Sequence, residues 1–240
     1  MHIPEGFLNN QTSLSLIGAS LLIGGYAMKK VKHLFWETSR VLVPQLLTNA
    51  GLDISSPQSI AKLNWKKSAN QVVQKMALVA AFVFAAQTVN FPVANGTSGH
   101  LLGGVLAAIV LGPWAGMLVI SAVLVIQSLV FADGGVIALG ANIFNMAIGG
   151  AVGGYYFYQL GLKLFKNKNL AIISASWLSV LLAAILCALE LAFSKTVSLN
   201  LVLPAMVSVH ALIGIGEAII TILAVKFLFT DKGENYEPKE

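Results

Sequence analysis

Charged residues are scarce in this sequence of 240 residues. Asp, Glu, Lys and Arg together make up 10% of it, and hydrophobic residues make up 57%. A typical soluble domain has roughly 25% charged residues and 45–50% hydrophobic residues. The composition therefore excludes an ordinary soluble domain and indicates an integral membrane protein.

The sequence has almost no cysteine, and it lacks the short motifs of ATP-binding proteins and metalloproteases. Cys187, the one cysteine, lies in an apolar run, which excludes a disulfide framework and a cysteine-based metal cluster. The sequence has no G-x-x-x-x-G-K-[ST] phosphate-binding motif and no H-E-x-x-H metalloprotease motif. We therefore expect that the chain is not an enzyme and does not itself hydrolyse ATP.

The first eight residues, MHIPEGFL, do not resemble a targeting peptide. A signal sequence has a basic region before its apolar core and a small-residue cleavage site after it, and this stretch has neither. We therefore expect Met1 to remain at the start of the mature chain.

Apolar runs bounded by polar residues, glycine or proline predict an all-α membrane protein. The third run is shorter than the roughly 20 residues that cross a bilayer, and the first is marginal, so either run tilts, extends or dips in without spanning. We predict about seven transmembrane helices in a single membrane domain over residues 1–240. The runs are 13–28, 74–89, 101–112, 115–131, 136–160, 169–193 and 201–229.

The basic residues predict the orientation of these helices. With the N-terminus outside and the C-terminus inside, all of the 15 Lys and Arg residues except Lys195 lie on the cytoplasmic side, as the positive-inside rule requires. Anionic cytoplasmic lipid then accounts for the net charge of +5 without nucleic acid as a partner.

Residues 29–73 form a cytoplasmic amphipathic insertion between the first two helices. Their mixture of basic and apolar residues favours a helical hairpin on the membrane surface, with breaks at Pro44 and at residues 51–57. A docking element for a partner and a plain amphipathic linker both fit this composition.

Two polar loops are predicted on the outer side of the membrane, together with the N-terminus. Residues 90–104, NFPVANGTSGHLLGG, form a glycine-rich loop that presents His100, and residues 131–135, FADGG, form a second loop. Asn142 and Asn145 follow, about one helical turn apart in an apolar segment. Polar side chains at membrane depth usually face protein or a cavity.

The opening residues have the donor atoms of a metal chelate. The amine of Met1, the amide nitrogen of His2 and the His2 imidazole close a five-membered and a six-membered ring around one ion. Planar nitrogen sites favour Ni(II) or Cu(II), and His100 supplies a fourth nitrogen. Pro4 and Gly6 would turn the chain inward. A chance histidine at position 2 and a capping role for His100 are the alternatives, and the placement of both on one side favours the metal site.

The motifs MHIPEGFL, NFPVANGTSGHLLGG, VLGPWAG and LVFADGGVIALGANIFNMAIGG resemble the CbiM/NikM family. Its members are the metal-binding S components of energy-coupling factor (ECF) transporters for nickel and cobalt. The resemblance covers residues 1–28 and about 76–229. It implies a six-helix core with an added N-terminal helix, and a planar nitrogen site made by Met1, His2 and His100.

The resemblance also implies the partners and the cargo. We expect a transmembrane T component and two ATPase subunits as partners, and a small accessory membrane subunit is a further candidate. The location implied is a prokaryotic-type cell membrane. No resident cofactor is expected. The GTSGH loop resembles the nickel branch of the family, so Ni²⁺ is favoured over Co²⁺. The long insertion departs from the family, and no function is carried over for residues 33–72.

A second set of polar residues provides candidates for support of the site. Ser98, Gln127, Asn142 or Asn145 would accept a hydrogen bond from the second nitrogen of a ligating imidazole. Asp133 would balance the charge of the cation or start a turn. Glu190 has a structural role by default, as do Glu217 and His210, which we expect to form a buried polar pair. Residues 149–154 suit close helix packing inside the protein or against a partner.

Three other functions remain as alternatives. A stand-alone secondary metal transporter or channel would show paired broken helices in repeated halves, which the sequence lacks. An intramembrane enzyme would need a catalytic dyad or a metal-binding helix. A scaffold protein would leave the opening sequence unexplained.

Overall fold

The computed structural model describes residues 1–42, 59–93 and 97–230, and it is mostly helical. The elements in chain order are α1 (Asn10–Phe35), β1 (Trp36–Leu42), β2 (Ser59–Trp65), α2 (Ala69–Gln87), β3 (Asn90–Val93), β4 (Thr97–His100), α3 (Gly104–Leu111), α4 (Pro113–Val130), α5 (Leu139–Asn142), a π-helix (Ile143–Gly153), α6 (Gly154–Phe165), α7 (Lys168–Phe193) and α8 (Leu199–Thr230).

Local sequence signals set several helix ends. Asn9 caps α1 by accepting a hydrogen bond from the backbone N–H of Thr12 at 2.8 Å, and Asn167 caps α7 in the same manner. Both use the side-chain oxygen that satisfies a free N–H in the first turn. Gly112, with φ +84°, separates α3 from α4, which then begins at Pro113, where the missing N–H costs nothing.

Within the described residues, five helices are long and apolar enough to cross a membrane. They are Asn10–Phe35, Ala69–Gln87, Pro113–Val130, Lys168–Phe193 and Leu199–Leu228. Helix α3 has eight residues, which agrees with the expectation that the third run does not span by itself. The total of seven transmembrane helices and the orientation of the termini stay predictions.

Large apolar side chains cover the outside of the bundle, and small residues line the inner face of α7. Leu22, Leu212 and Phe227 are among the most exposed side chains. Alanine residues are fully buried along the inner face of α7, at positions 171, 175, 183, 184 and 188. This inversion of the usual soluble pattern suits a chain surrounded by lipid, in which helices approach closely over small residues.

The π-helix packs against α3 through glycine. A Cβ atom on Gly104 would lie 2.6 Å from the carbonyl carbon of Gly150, so the two backbones touch. Gly150 also lies against Leu102, and Gly154 lies against Val105 and Ser179. The small residues of 149–154 therefore serve packing within this chain.

The prediction of a helical hairpin for the insertion is wrong over the residues that the structure describes. Strands β1 and β2 form an antiparallel ladder in which Trp36 pairs with Trp65. Their rings meet edge to face at 5.3 Å between centroids, and Phe35 stacks on Trp65 at 5.7 Å. Cross-strand aromatic pairs of this type stabilise a hairpin. The predicted breaks at Pro44 and residues 51–57 lie outside the described residues.

Candidate metal site

The first three residues lie inside the protein. Met1, His2 and Ile3 are 0%, 3% and 0% exposed. The backbone N–H of Ile3 donates to the Asn142 side chain at 2.8 Å, and the Ile3 carbonyl accepts from Gly135 N–H at 2.9 Å and from Asn142 Nδ2 at 3.3 Å. Gly135 and the Asn142 side chain therefore hold the N-terminal segment in place.

A turn at Pro4–Phe7 sends this segment inward. Phe7 N–H donates to the Pro4 carbonyl at 3.5 Å, and Gly6 has φ +79°, a left-handed conformation that glycine adopts without strain. The turn expected from Pro4 and Gly6 is present. Gly135 lets the segment approach, because a Cβ atom there would lie 2.7 Å from the Glu5 backbone nitrogen.

His100 reaches the same place at the end of a hairpin. Strands β3 and β4 pair antiparallel, with Asn90 opposite His100 and Val93 opposite Thr97. We expected a glycine-rich loop over residues 90–104, but the described residues on both sides of 94–96 form an antiparallel ladder. Gly96 lies outside the described residues. The hairpin delivers a fully buried His100 side chain.

The structure brings the amine of Met1 and the two predicted imidazoles together. The amine donates to the Ser98 carbonyl and lies 3.3 Å from Ser98 Oγ. The His2 and His100 rings are 4.5 Å apart between centroids and tilted by 34°. The Nε2 atoms of both rings are buried without a hydrogen-bond partner, although buried polar groups are nearly always paired. Two free nitrogen lone pairs next to an amine are the donors that a transition-metal ion uses.

His2 is held by Asp133 in an orientation that a chelate would have to change. Its Nδ1 lies 2.8 Å from Asp133 Oδ1. The six-membered ring of the predicted chelate requires this same Nδ1, because it is the ring nitrogen nearer to the backbone. The imidazole must therefore turn about its Cβ–Cγ bond before it joins the chelate, and its Nε2–H would then face Asp133.

Burial favours the uncharged forms of all three donor groups. It lowers the pKa of the Met1 amine from 8.0 to about 5. The pKa of His2 is lowered by burial despite the opposing hydrogen bond to Asp133. The pKa of His100 falls well below 6.5 through burial, with smaller contributions from the amine and His2. The Asp133 carboxyl has a lowered pKa because it accepts a hydrogen bond from His2. Neutral nitrogens next to one carboxylate suit the binding of a cation.

A cavity of about 400 Å³ lies beside the site. Its lining includes His2, Ser98, Ser128, Asp133 and Val136. The polar side chains along this cavity give a hydrated ion a route to His2 and to Ser98, next to the Met1 amine.

The four supporting residues proposed from the sequence have different places. Ser98 contacts the amine and Asn142 holds the backbone of Ile3. Asn145 instead donates to Glu190 at 2.7 Å. The Gln127 side chain is buried with its Oε1 unpaired, and its carbonyl accepts from Asp133 N–H at 3.0 Å. Two of the four residues therefore contact the N-terminal segment, and Gln127 acts through its backbone.

Some residues at the site were missed or misread in the sequence. Asp133, considered for charge balance, is the partner of the His2 ring. Glu217 and His210 have separate partners and do not form the expected polar pair. The Glu217 carboxylate accepts from the backbone of Leu102 and Gly103, and His210 Nδ1 donates to the Met206 carbonyl at 2.7 Å. An acid within an apolar run was the only sequence signal for Glu217.

The structure contains no conventional cluster of metal-binding side chains in its described part. No group of three or more His, Cys, Asp or Glu residues that could hold a metal ion lies within residues 1–42, 59–93 and 97–230. The nitrogen donors described above differ from such a cluster because two of them belong to the backbone.

Comparison with known proteins defines the class. The family model described as the cobalt uptake substrate-specific transmembrane region, CbiM, matches residues 2–234. A putative fused nickel transport protein NikMN from Archaeoglobus fulgidus is 41% identical over all of this chain and 69% of its own length. The cobalt transport protein CbiM of Acetoanaerobium sticklandii is 32% identical over 95% of this chain and 84% of its own.

A solved structure agrees with these sequence matches. A crystal structure of a truncated transition metal transporter superposes with a TM-score of 0.77 at 33% identity, covering 96% of this chain and 99% of that one. The protein is therefore a membrane component of nickel/cobalt transport, which supports a role other than catalysis. It belongs to the CbiM family.

Proposed function

We propose that this chain is the S component of an ECF transporter and captures Ni²⁺ in preference to Co²⁺. The ligands are the amine of Met1, the amide nitrogen and imidazole of His2, and the imidazole of His100. The observation that carries the proposal is the burial of the Met1 amine beside the His2 imidazole and beside His100, whose Nε2 has no partner.

The donor set supports a preference for nickel over cobalt. Four nitrogens in a plane suit Ni(II), and Co(II) lies below Ni(II) in the general affinity order of first-row metals. Loss of the amide proton on binding adds a strong anionic donor and makes the affinity dependent on pH. Asp133 then stays close to the bound cation and orients the His2 ring.

The direction of transport follows from the proposed topology. With the N-terminus outside and about seven spanning helices in the cell membrane, the site takes up ions from the outer side. The energy comes from two ATPase subunits through a transmembrane T component, with a small accessory membrane subunit as a further partner, because this chain has no phosphate-binding motif. The S component then topples in the membrane to release the ion inside. Uptake by cells that express this chain without ATPase subunits would instead indicate a stand-alone transporter or channel.

Replacement of His100 by alanine is expected to weaken Ni²⁺ binding by at least about 100-fold. The loss of a residue that only supports a ligand costs 10–100-fold, and His100 is proposed as a ligand itself. The measurement is calorimetric titration of the purified protein with Ni²⁺ and with Co²⁺. His33→Ala is the matched control, because His33 lies exposed near the end of α1 and contacts the Lys30 carbonyl. Equal affinities of the two variants would exclude His100 as a ligand.

The pH dependence should reveal the loss of about one proton per bound ion between pH 6.5 and 8. The amine has a pKa of about 5 and the pKa values of both imidazoles are lowered, so these groups are already neutral. Only the His2 amide then loses a proton, and the affinity rises by about tenfold per pH unit. Below about pH 5 the amine becomes protonated, and the dependence steepens.

Calorimetry in buffers of different ionisation enthalpy gives this proton count directly. A release of two or more protons at pH 7–8 would contradict the prediction, because it would show that the amine or an imidazole carries charge before the ion binds.

A further inference from the structure

The backbone that follows His100 is held by a buried carboxylate from the other end of the sequence. Glu217, in α8, is 2% exposed. Its two oxygens accept hydrogen bonds from the N–H groups of Leu102, at 2.9 Å, and Gly103, at 2.7 Å. Both oxygens of this carboxyl group are therefore occupied by backbone donors of two consecutive residues.

Helix α2 holds the same residues from a second side. Gln87 is buried and donates through Nε2 to the Leu102 carbonyl at 2.8 Å. Gly103 has φ +70°, and a Cβ atom there would lie 2.6 Å from a methyl group of Val83. Leu102 and Gly103 are therefore fixed between α2 and α8 through their backbone atoms.

The hydrogen bonds of Glu217 and Gln87 to Leu102 and Gly103, called the clamp below, are linked to the imidazole of His100. Nδ1 of His100 lies 2.8 Å from the carbonyl oxygen of Leu101. Because a carbonyl only accepts, Nδ1 carries the proton and Nε2 keeps its lone pair. Leu101 directly precedes the clamped residues, so the position of its carbonyl depends on the bonds that Glu217 makes. Helix α8 also contacts this hairpin at Gly99, where a Cβ atom would lie 2.7 Å from Ile213.

We propose that Glu217 is a positioning residue for metal capture. It fixes residues 101–103 so that the Leu101 carbonyl orients His100 with Nε2 free for the ion. This inference rests on the proposed function, in which His100 is a ligand. It gives a reason for a carboxylate within an apolar helix, where an acid is costly unless it has a use.

A double-mutant cycle separates positioning from general stability. Glu217→Gln keeps the size of the side chain but turns one acceptor into a donor, which cannot pair with a backbone N–H. We expect this variant to bind Ni²⁺ about tenfold more weakly, as losses of supporting residues do. In a His100→Ala background the same change should alter the affinity by less than about twofold, because the imidazole that it positions is gone.

Two further variants complete the design. Glu190→Gln is the matched control, because Glu190 is another buried acid, bonded to Asn145 in a neighbouring helix, and its loss should leave the affinity unchanged. Gln87→Met removes the bond to the Leu102 carbonyl without adding charge. It tests the same clamp if Glu217→Gln fails to fold, and its effect should also vanish in the His100→Ala background.

The outcomes distinguish this inference from the function on which it rests. If His100→Ala alone leaves Ni²⁺ binding unchanged, the proposed ligand set is wrong. His100→Ala can weaken binding while Glu217→Gln and Gln87→Met lower the Ni²⁺ affinity equally with and without His100, or do not lower it at all. The clamp would then have only a structural role, and the inference would be overturned. Thermal unfolding of each variant confirms that the affinities refer to folded protein.

Discussion

Two residues added in front of Met1 are expected to abolish tight Ni²⁺ binding. The addition turns the Met1 amine into an amide and places His2 fourth in the extended chain, whereas a single added residue would create a new planar nitrogen chelate from the new amine, two amides and the His2 imidazole. The added residues also have no room, because Met1 is fully buried and its nitrogen contacts Ser98. We expect the affinity to fall by roughly a thousandfold or more, which is about 4 kcal/mol.

Calorimetry and visible absorption test this expectation together. The unextended protein should show the absorption band of planar Ni(II), and the extended protein should lack it. The same two residues added after the last position are the matched control, and the mass of each protein must confirm its N-terminus. If the N-terminally extended chain binds Ni²⁺ as tightly as the control, the amine is not a ligand and the proposed chelate is wrong.

Gly104→Ala is expected to destabilise the fold strongly. The new Cβ would lie 2.6 Å from the carbonyl carbon of Gly150, 2.7 Å from its oxygen and 2.9 Å from the nitrogen of Ala151. These are backbone atoms of the π-helix, which cannot move aside as a side chain can. Overpacking of a tight contact costs typically 1–3 kcal/mol, and we expect about 3 kcal/mol or more here.

Gly25→Ala provides the matched control for this substitution. Gly25 lies within α1 with no atom within 4 Å of its Cβ position, so alanine there should raise helix stability by up to about 1 kcal/mol. Thermal unfolding in detergent compares the two variants. Equal unfolding temperatures would show that α3 and the π-helix can separate without cost.

Hydropathy predicted the helices because spanning segments must be apolar over most of their length. Each of the seven runs coincides with a helical segment, including the short third one at Gly104–Leu111. The same reasoning failed for β1 and β2. Their mixture of apolar and basic residues fits an amphipathic helix, and the pairing of Trp36 with Trp65 depends on a register that no local pattern reveals.

The candidate site, too, was predicted only in part. Met1, His2 and His100 were predicted from short motifs and the chemistry of their donors, and they lie together in the structure. The role of Asp133 was only half predicted, and the clamp of Glu217 on Leu102 was not predicted. These contacts join residues 131 and 115 positions apart, and a single sequence does not show which distant polar groups meet.

The burial of the Met1 amine imposes an order of events during synthesis. Its partner Ser98 is 97 residues further along the chain, so a ribosome that adds about 5–20 residues per second reaches it roughly 5–20 seconds later. A formyl or acetyl group left on the amine after that interval would occupy the space in which the nitrogen meets the β4 strand. In the proposed function, which requires a free amine, the removal of such a group would therefore compete in time with folding, and the fraction of protein able to bind Ni²⁺ would depend on which process is faster.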